Sequence, residues 1–156
     1  MSVVRTGTNA KDFNLNDQDG KELLLSSLEG KKVLLSFHPL AWTNLCAQQM
    51  KSLEKNLARF EELNTVALGM SVDTVPSKKA WAKEIGIKNT RLLSDFWPHG
   101  KVAGLYGIFR EKEGVSERAN IIIDENGTVV FVKVYPISQL PDIEEIIKVL
   151  KDLESE

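Results

Sequence analysis

A single cysteine, Cys46, stands in the 156 residues of the chain. One thiol cannot close an intramolecular disulfide, so it reads as free, as a reducing cytoplasm would keep it. No Cys-x-x-Cys pair is present, which disfavours a dithiol disulfide reductase. Two histidines, His38 and His99, and one cysteine make no closely spaced ligand set, so no metal site is expected. No apolar run approaches about eighteen residues, and nothing reads as a membrane span. The opening Met1–Gly7 has no apolar signal-peptide core, and the expected location is cytoplasmic. An excess of positive charge is missing too. Twenty Lys and Arg against 22 Asp and Glu leave a formal charge of −2, which makes no electrostatic case for nucleic acid or an anionic membrane. Repeats, linkers and low-complexity tracts are absent. What remains is one domain, residues 1–156, long enough to bury a core without staples.

The patterning predicts alternating elements. Phe13-Asn14-Leu15 and Leu23-Leu24-Leu25 flank Asp17-Gln18-Asp19-Gly20, an N-terminal β-hairpin with an Asp-Gly turn. Ser26–Gly30 reads as a turn or a single helical turn. Val33–Phe37 is a near-continuous apolar run, as in a strand buried on both faces. Cys46, Met50, Leu53, Leu57 and Phe60 then recur at steps of four and three, predicting one helix that continues to about Leu63. Thr65–Val72 is the next buried strand. A second helix opens near Pro76, buries Trp81 and Ile85 and ends at Gly86. A shorter strand over 90–95, a loop over 96–100 and a short helix through Val102 and Tyr106 follow. Arg118–Asp124 and Thr128–Val134 are joined by Asn126-Gly127, a strong hairpin signal. The last helix starts near Pro141, with acidic residues in its first turn. An α/β fold follows: a mixed central sheet, helices on both faces and a thioredoxin-like order of elements.

The stretch Phe37–Cys46 is where chemistry is expected. A chain leaving a buried strand and entering a helix brings the helix start to the carboxyl end of the sheet, where α/β folds place their sites. Cys46 falls in the first turn, where unpaired N–H groups and the helix dipole favour a thiolate. The opposing interpretation is inert packing of a small apolar side chain, and position alone does not separate the two. Pro39 lacks an N–H and stands ready to cover the thiol, or simply ends the strand. Thr43 offers a hydroxyl that both donates and accepts, or an ordinary helix cap. Trp42 walls the pocket or packs the core.

The spacing Pro39-x-x-x-Thr43-x-x-Cys46, after an apolar strand and opening a helix, resembles the signature of the peroxiredoxins. The resemblance runs from about Gly7 to the last helix. The segments Phe37–Thr43 and Leu92–Gly100 are similar to those of the alkyl hydroperoxide reductase E-type branch. It implies a thioredoxin-like fold and Cys46 as peroxidatic nucleophile. Thr43 is then placed to position peroxide, and Pro39 to shield the thiolate. Arg118, arriving from a late strand, would stabilise the thiolate and the transition state. Trp42, Gln49 and Trp97 would border the substrate pocket. Gln49 stands where the family often has glutamate, and Asn120 where threonine or serine is common. The resemblance implies no metal, flavin or haem.

The expected activity is reduction of hydrogen peroxide or an organic hydroperoxide through a Cys46 sulfenic acid. With one cysteine in the chain, an external thiol or redoxin protein must re-reduce it. The resemblance implies a homodimer or a larger assembly of dimers. Two alternatives use the same residues: a peroxide sensor that relays oxidation to a partner protein, and a non-catalytic thioredoxin-fold binding protein.

Overall fold

The strand expected at Val33–Phe37 is the centre of the molecule: every residue from Lys32 to Phe37 is buried. The computed structural model describes residues 2–155, and Met1 and Glu156 of the expected domain lie outside them. In chain order the strands are β1 (Asn14–Asn16), β2 (Glu22–Leu24), β3 (Lys32–Phe37), β4 (Thr65–Ser71), β5 (Arg91–Ser94), β6 (Phe109–Arg110), β7 (Val115–Ser116), β8 (Arg118–Ile123) and β9 (Val129–Tyr135). The helices are α1 (Asn44–Lys55), α2 (Leu57–Glu62), α3 (Val75–Ile85), α4 (Lys101–Leu105) and α5 (Ile143–Glu154).

The main sheet has the order β5-β4-β3-β8-β9. β3 runs parallel to β4, and β4 to β5, whereas β8 is antiparallel to both β3 and β9. This is the mixed sheet of a thioredoxin-like fold, with β1 and β2 forming the separate antiparallel hairpin. Side chains alternate across β3. Val33, Leu35 and Phe37 face a core closed by the hairpin and by Val102, Ala103 and Tyr106. Leu34 faces a second core filled by Met50 and Leu53 of α1, Trp81 of α3 and Ile146, Ile147 and Leu150 of α5. Cys46 lies in this second core.

Two expectations need correction. The helix predicted to run to Leu63 breaks at Asn56 (φ −111°, ψ 16°). Its N–H turns to Leu53, three residues back, and its side chain donates to the Ser52 carbonyl at 2.7 Å. Such local bonding by asparagine competes with helix continuation. Leu57 is therefore only half-buried, although Phe60 rejoins the core. The stretch after Tyr106, for which the sequence predicted no strand, forms a small antiparallel ribbon, β6–β7. Arg110 there pairs with Glu113 and Glu117.

Candidate active site

Cys46, 1% exposed, lies where α1 begins, after the carboxyl end of β3. The first helical bond runs from Ala47 N–H to the Thr43 carbonyl. The N–H groups of residues 44–46 thus precede the ladder and point toward the helix mouth. Thr43 occupies the cap position, but its hydroxyl does not cap: it donates to the Leu40 carbonyl at 2.9 Å. The cause is the loop itself, since Trp42 adopts φ 67° and folds residues 40–43 back on themselves. The Thr43 oxygen keeps its lone pairs, which can accept from a peroxide O–H.

Arg118 stands at the start of β8. It is 3% exposed. Its Nε donates to the Ile137 carbonyl at 3.0 Å, and its Nη1 donates to Gln49 Oε1 at 2.8 Å. The same Nη1 stands 3.4 Å from Cys46 Sγ. Gln49 is buried one turn after Cys46, and its amide nitrogen donates to Ser36 Oγ at 2.8 Å and the Phe37 carbonyl at 3.1 Å. Gln49 is thereby a strut between β3 and the guanidinium. A buried charged hydrogen bond of this kind is among the stronger polar contacts in proteins.

Pro39 is half-buried in the loop between β3 and α1. Trp42 is 54% exposed, and its indole N–H donates to Ser77 Oγ at 3.0 Å. Trp97, 79% exposed, lines a cleft with Asn14, Asn16, Val75 and Phe96. Asn120 donates to the Tyr135 hydroxyl at 3.4 Å, which in turn donates to Glu145 at 2.8 Å.

Several residues at the site went unmarked in the sequence. Asp73 accepts from Ala41 N–H at 2.8 Å and from the Ser71 hydroxyl at 2.6 Å, tying the loop to β4. His38 is wholly buried, its ring 5.4 Å from that of Trp81, with no partner on either nitrogen. Burial, followed by the charge of Lys78, holds the imidazole well below its ordinary pKa and therefore neutral. Lys78 is also wholly buried, and its Nζ has no hydrogen-bond partner. Burial pulls its ammonium down to about 7, against the opposing influence of Asp73, Cys46 and Asp95. No local pattern marks these residues, since a lysine in a helix and a histidine after a strand are ordinary surface types.

Among the described residues no group of three or more His, Cys, Asp or Glu side chains is disposed to hold a metal ion. No helix among them is long and apolar enough to cross a membrane.

The model of the AhpC/TSA family matches residues 6–132. The chain is a peroxiredoxin of this family. Alkyl hydroperoxide reductase E of Mycobacterium tuberculosis is 37% identical over 141 residues, spanning 90% of this peroxiredoxin and 92% of that one. Peroxiredoxin 2 of Thermoplasma acidophilum is 35% identical over 153 residues, spanning 95% and 75% respectively. Among solved structures, the reduced 2-Cys peroxiredoxin of Plasmodium vivax superposes with a TM-score of 0.88 at 31% identity, covering 97% of this chain and 83% of that one. This peroxiredoxin carries its one cysteine in the first turn of α1.

Proposed function

We propose that the chain is a single-domain thiol peroxidase that works by a one-cysteine cycle. The observation that carries this is the Arg118 guanidinium 3.4 Å from Cys46 Sγ, with both groups buried. A cation held there favours thiolate over thiol and faces the oxygens of an incoming peroxide. The thiolate attacks the terminal peroxide oxygen. An S–O bond forms, the O–O bond breaks and sulfur is oxidised by two electrons to the sulfenic acid. The leaving alkoxide or hydroxide departs near Arg118 and the open N–H groups, then takes a proton from water. Thr43 accepts from the peroxide O–H, and Pro39 shields the thiolate. Trp42 and Gln49 border the pocket, with Trp97 at its outer margin.

An external thiol then condenses with the sulfenic acid, releasing water and leaving a mixed disulfide. A second thiol releases Cys46 as thiol. A low-molecular-weight thiol or a redoxin protein fits this step. A dimer or dimer-based assembly in the cytoplasm belongs to the same reading. The dimer is supported by exposed Leu40 and Trp42 on the loop before α1 and exposed Phe96 and Trp97 on the loop after β5.

The test is addition of stoichiometric peroxide to reduced protein, with trapping of the sulfenic acid. One oxygen adds at Cys46 at a fast second-order rate, and Cys46→Ser consumes no peroxide. Intact peroxide consumption in that variant would sink the assignment. Fast oxidation followed by negligible recycling with small thiols and redoxins would mark a relay to a partner protein instead.

A further inference from the structure

One peptide group links Thr43 to a carboxylate on another element. The Ala41 N–H donates to Asp73 Oδ2 at 2.8 Å. The carbonyl on the other side of that same peptide bond, Leu40 C=O, accepts from the Thr43 hydroxyl at 2.9 Å. A peptide unit is planar and resists twisting, so its N–H and C=O turn together, and what fixes the one fixes the direction of the other. Asp73, in the loop between β4 and α3, is itself held, because Oδ2 also accepts from the Ser71 hydroxyl at 2.6 Å.

The consequence falls on Thr43. A hydroxyl has one proton to give and lone pairs to receive. With its proton committed to Leu40, Thr43 meets an incoming peroxide as an acceptor. A bond to an ionised oxygen is stronger than one between neutral groups, and it polarises the peptide so that its carbonyl holds the Thr43 proton more firmly. Without Asp73 the plane between residues 40 and 41 is free to turn, and the Thr43 proton is released to other acceptors. The neighbouring tie, from the Trp42 indole to Ser77 Oγ at 3.0 Å, leaves from a side chain and does not fix that plane.

We propose that Asp73 is a positioning residue for the peroxide reaction: through the Leu40–Ala41 peptide it fixes the Thr43 hydroxyl as acceptor for the peroxide O–H. The proposal rests on the thiol-peroxidase reading of the site. Arg118 bonds to Ile137, Gln49 and Cys46 and not to Asp73, so removing the Asp73 tie leaves the cation beside the sulfur in place. Both bonds to the Asp73 side chain fall on one oxygen, so the amide oxygen of an asparagine there can accept both.

The experiment compares wild type with Asp73→Ala and Asp73→Asn, each alone and combined with Thr43→Val. Two second-order rates are read on the reduced protein: oxidation by hydrogen peroxide, and alkylation of Cys46 by iodoacetamide, which follows the thiolate and needs no acceptor for a peroxide proton. Asp73→Ala is expected to slow oxidation about tenfold and to leave alkylation within about twofold of wild type. Asp73→Asn restores most of the oxidation rate. In the Thr43→Val background Asp73→Ala slows oxidation no further, because its effect runs through the hydroxyl. Losses that multiply in the double variant overturn the proposal. So does a fall in alkylation that matches the fall in oxidation, or an Asp73→Asn no faster than Asp73→Ala. Should Asp73→Ala not fold, Ser71→Ala, which removes the hydroxyl that steadies the same oxygen, goes through the same comparison with the same signs. A wild type inert to peroxide overturns the enzymatic reading and the proposal with it, whereas a reactive wild type with an equally reactive, folded Asp73→Ala overturns the proposal alone.

Discussion

Gln49 and Cys46 share one nitrogen of Arg118: Nη1 donates to the amide oxygen at 2.8 Å and lies 3.4 Å from the sulfur. The amide aims the guanidinium without neutralising it. Gln49→Leu leaves Arg118 without its acceptor, and strips Ser36 Oγ and the Phe37 carbonyl of a donor. The expected outcome is a loss of about 2 kcal/mol in stability and roughly tenfold slower oxidation of Cys46. Gln49→Glu keeps an acceptor for Arg118 and falls between wild type and Gln49→Leu in rate. Urea unfolding and stopped-flow oxidation check both. A Gln49→Leu variant that reacts as fast as wild type would show that the amide does not aim the guanidinium.

Arg118 makes contacts from two separate nitrogens, Nε to the Ile137 carbonyl and Nη1 toward Gln49 and Cys46. A lysine has one nitrogen and cannot span that fork. Arg118→Lys is expected to slow oxidation by about tenfold and Arg118→Met by about a hundredfold, roughly 1.4 and 2.7 kcal/mol in barrier. Equal rates in the two variants would show that charge at this place is immaterial.

His38 predicts an acid-sensitive stability. Its folded-state pKa is depressed, chiefly by burial, so the native imidazole stays neutral below the ordinary value of 6.5. The unfolded chain takes up a proton there and the native chain does not. Stability is therefore lost as pH falls below about 6.5, at a limit of about 1.4 kcal/mol per pH unit from this one group. His38→Phe keeps a ring against Trp81 and removes two unpartnered nitrogens. It is expected to match or exceed wild type at neutral pH and to lose less stability on acidification. Parallel curves for the two proteins between neutral pH and about pH 5 would contradict this.

Glu54 closes the loop before β5. Its carboxylate accepts from the N–H groups of Lys88, Asn89 and Thr90 and from the Thr90 hydroxyl. Partial burial opposes its charge, but these four donors outweigh burial and hold its pKa below the usual value of 4.5. Its contribution is present above about pH 4.5 and is lost as pH falls through the depressed value. Glu54→Gln is expected to cost about 1–3 kcal/mol at neutral pH, with the difference from wild type shrinking in acid. Urea unfolding of both proteins across that range is the check, and a constant difference would count against it.

Gly69 is a packing requirement. A Cβ there would run into Met50 Sδ and come within 2.7 Å of Leu92 Cδ2, beside the His38 ring. Gly69→Ala is expected to cost about 1–3 kcal/mol through overpacking beneath α1. Thermal unfolding measures it, and an unchanged midpoint would mean that Met50 swings aside freely.

The local sequence carried a good part of this. Apolar runs and turn residues specify β3, β4, β8, the Asn126-Gly127 hairpin and the helix starts, because period and turn chemistry act over a few residues. The spacing of Pro39, Thr43 and Cys46 is local too, so the place of Thr43 and Cys46 at the start of α1 was legible, and so was the resemblance of this spacing to that of the peroxiredoxins. The break at Asn56 was not, because a side chain bonding its own backbone overrode a clean apolar stripe. The thiol's surroundings were the work of tertiary structure. Gln49 differs from any helical glutamine until β3 and β8 close around it, and Lys78 from any helical lysine until α3 packs against β3, α1 and His38. Contacts between residues thirty to seventy positions apart leave no periodic trace. Whether a side chain ends in water or inside the core is decided by the packing of whole elements.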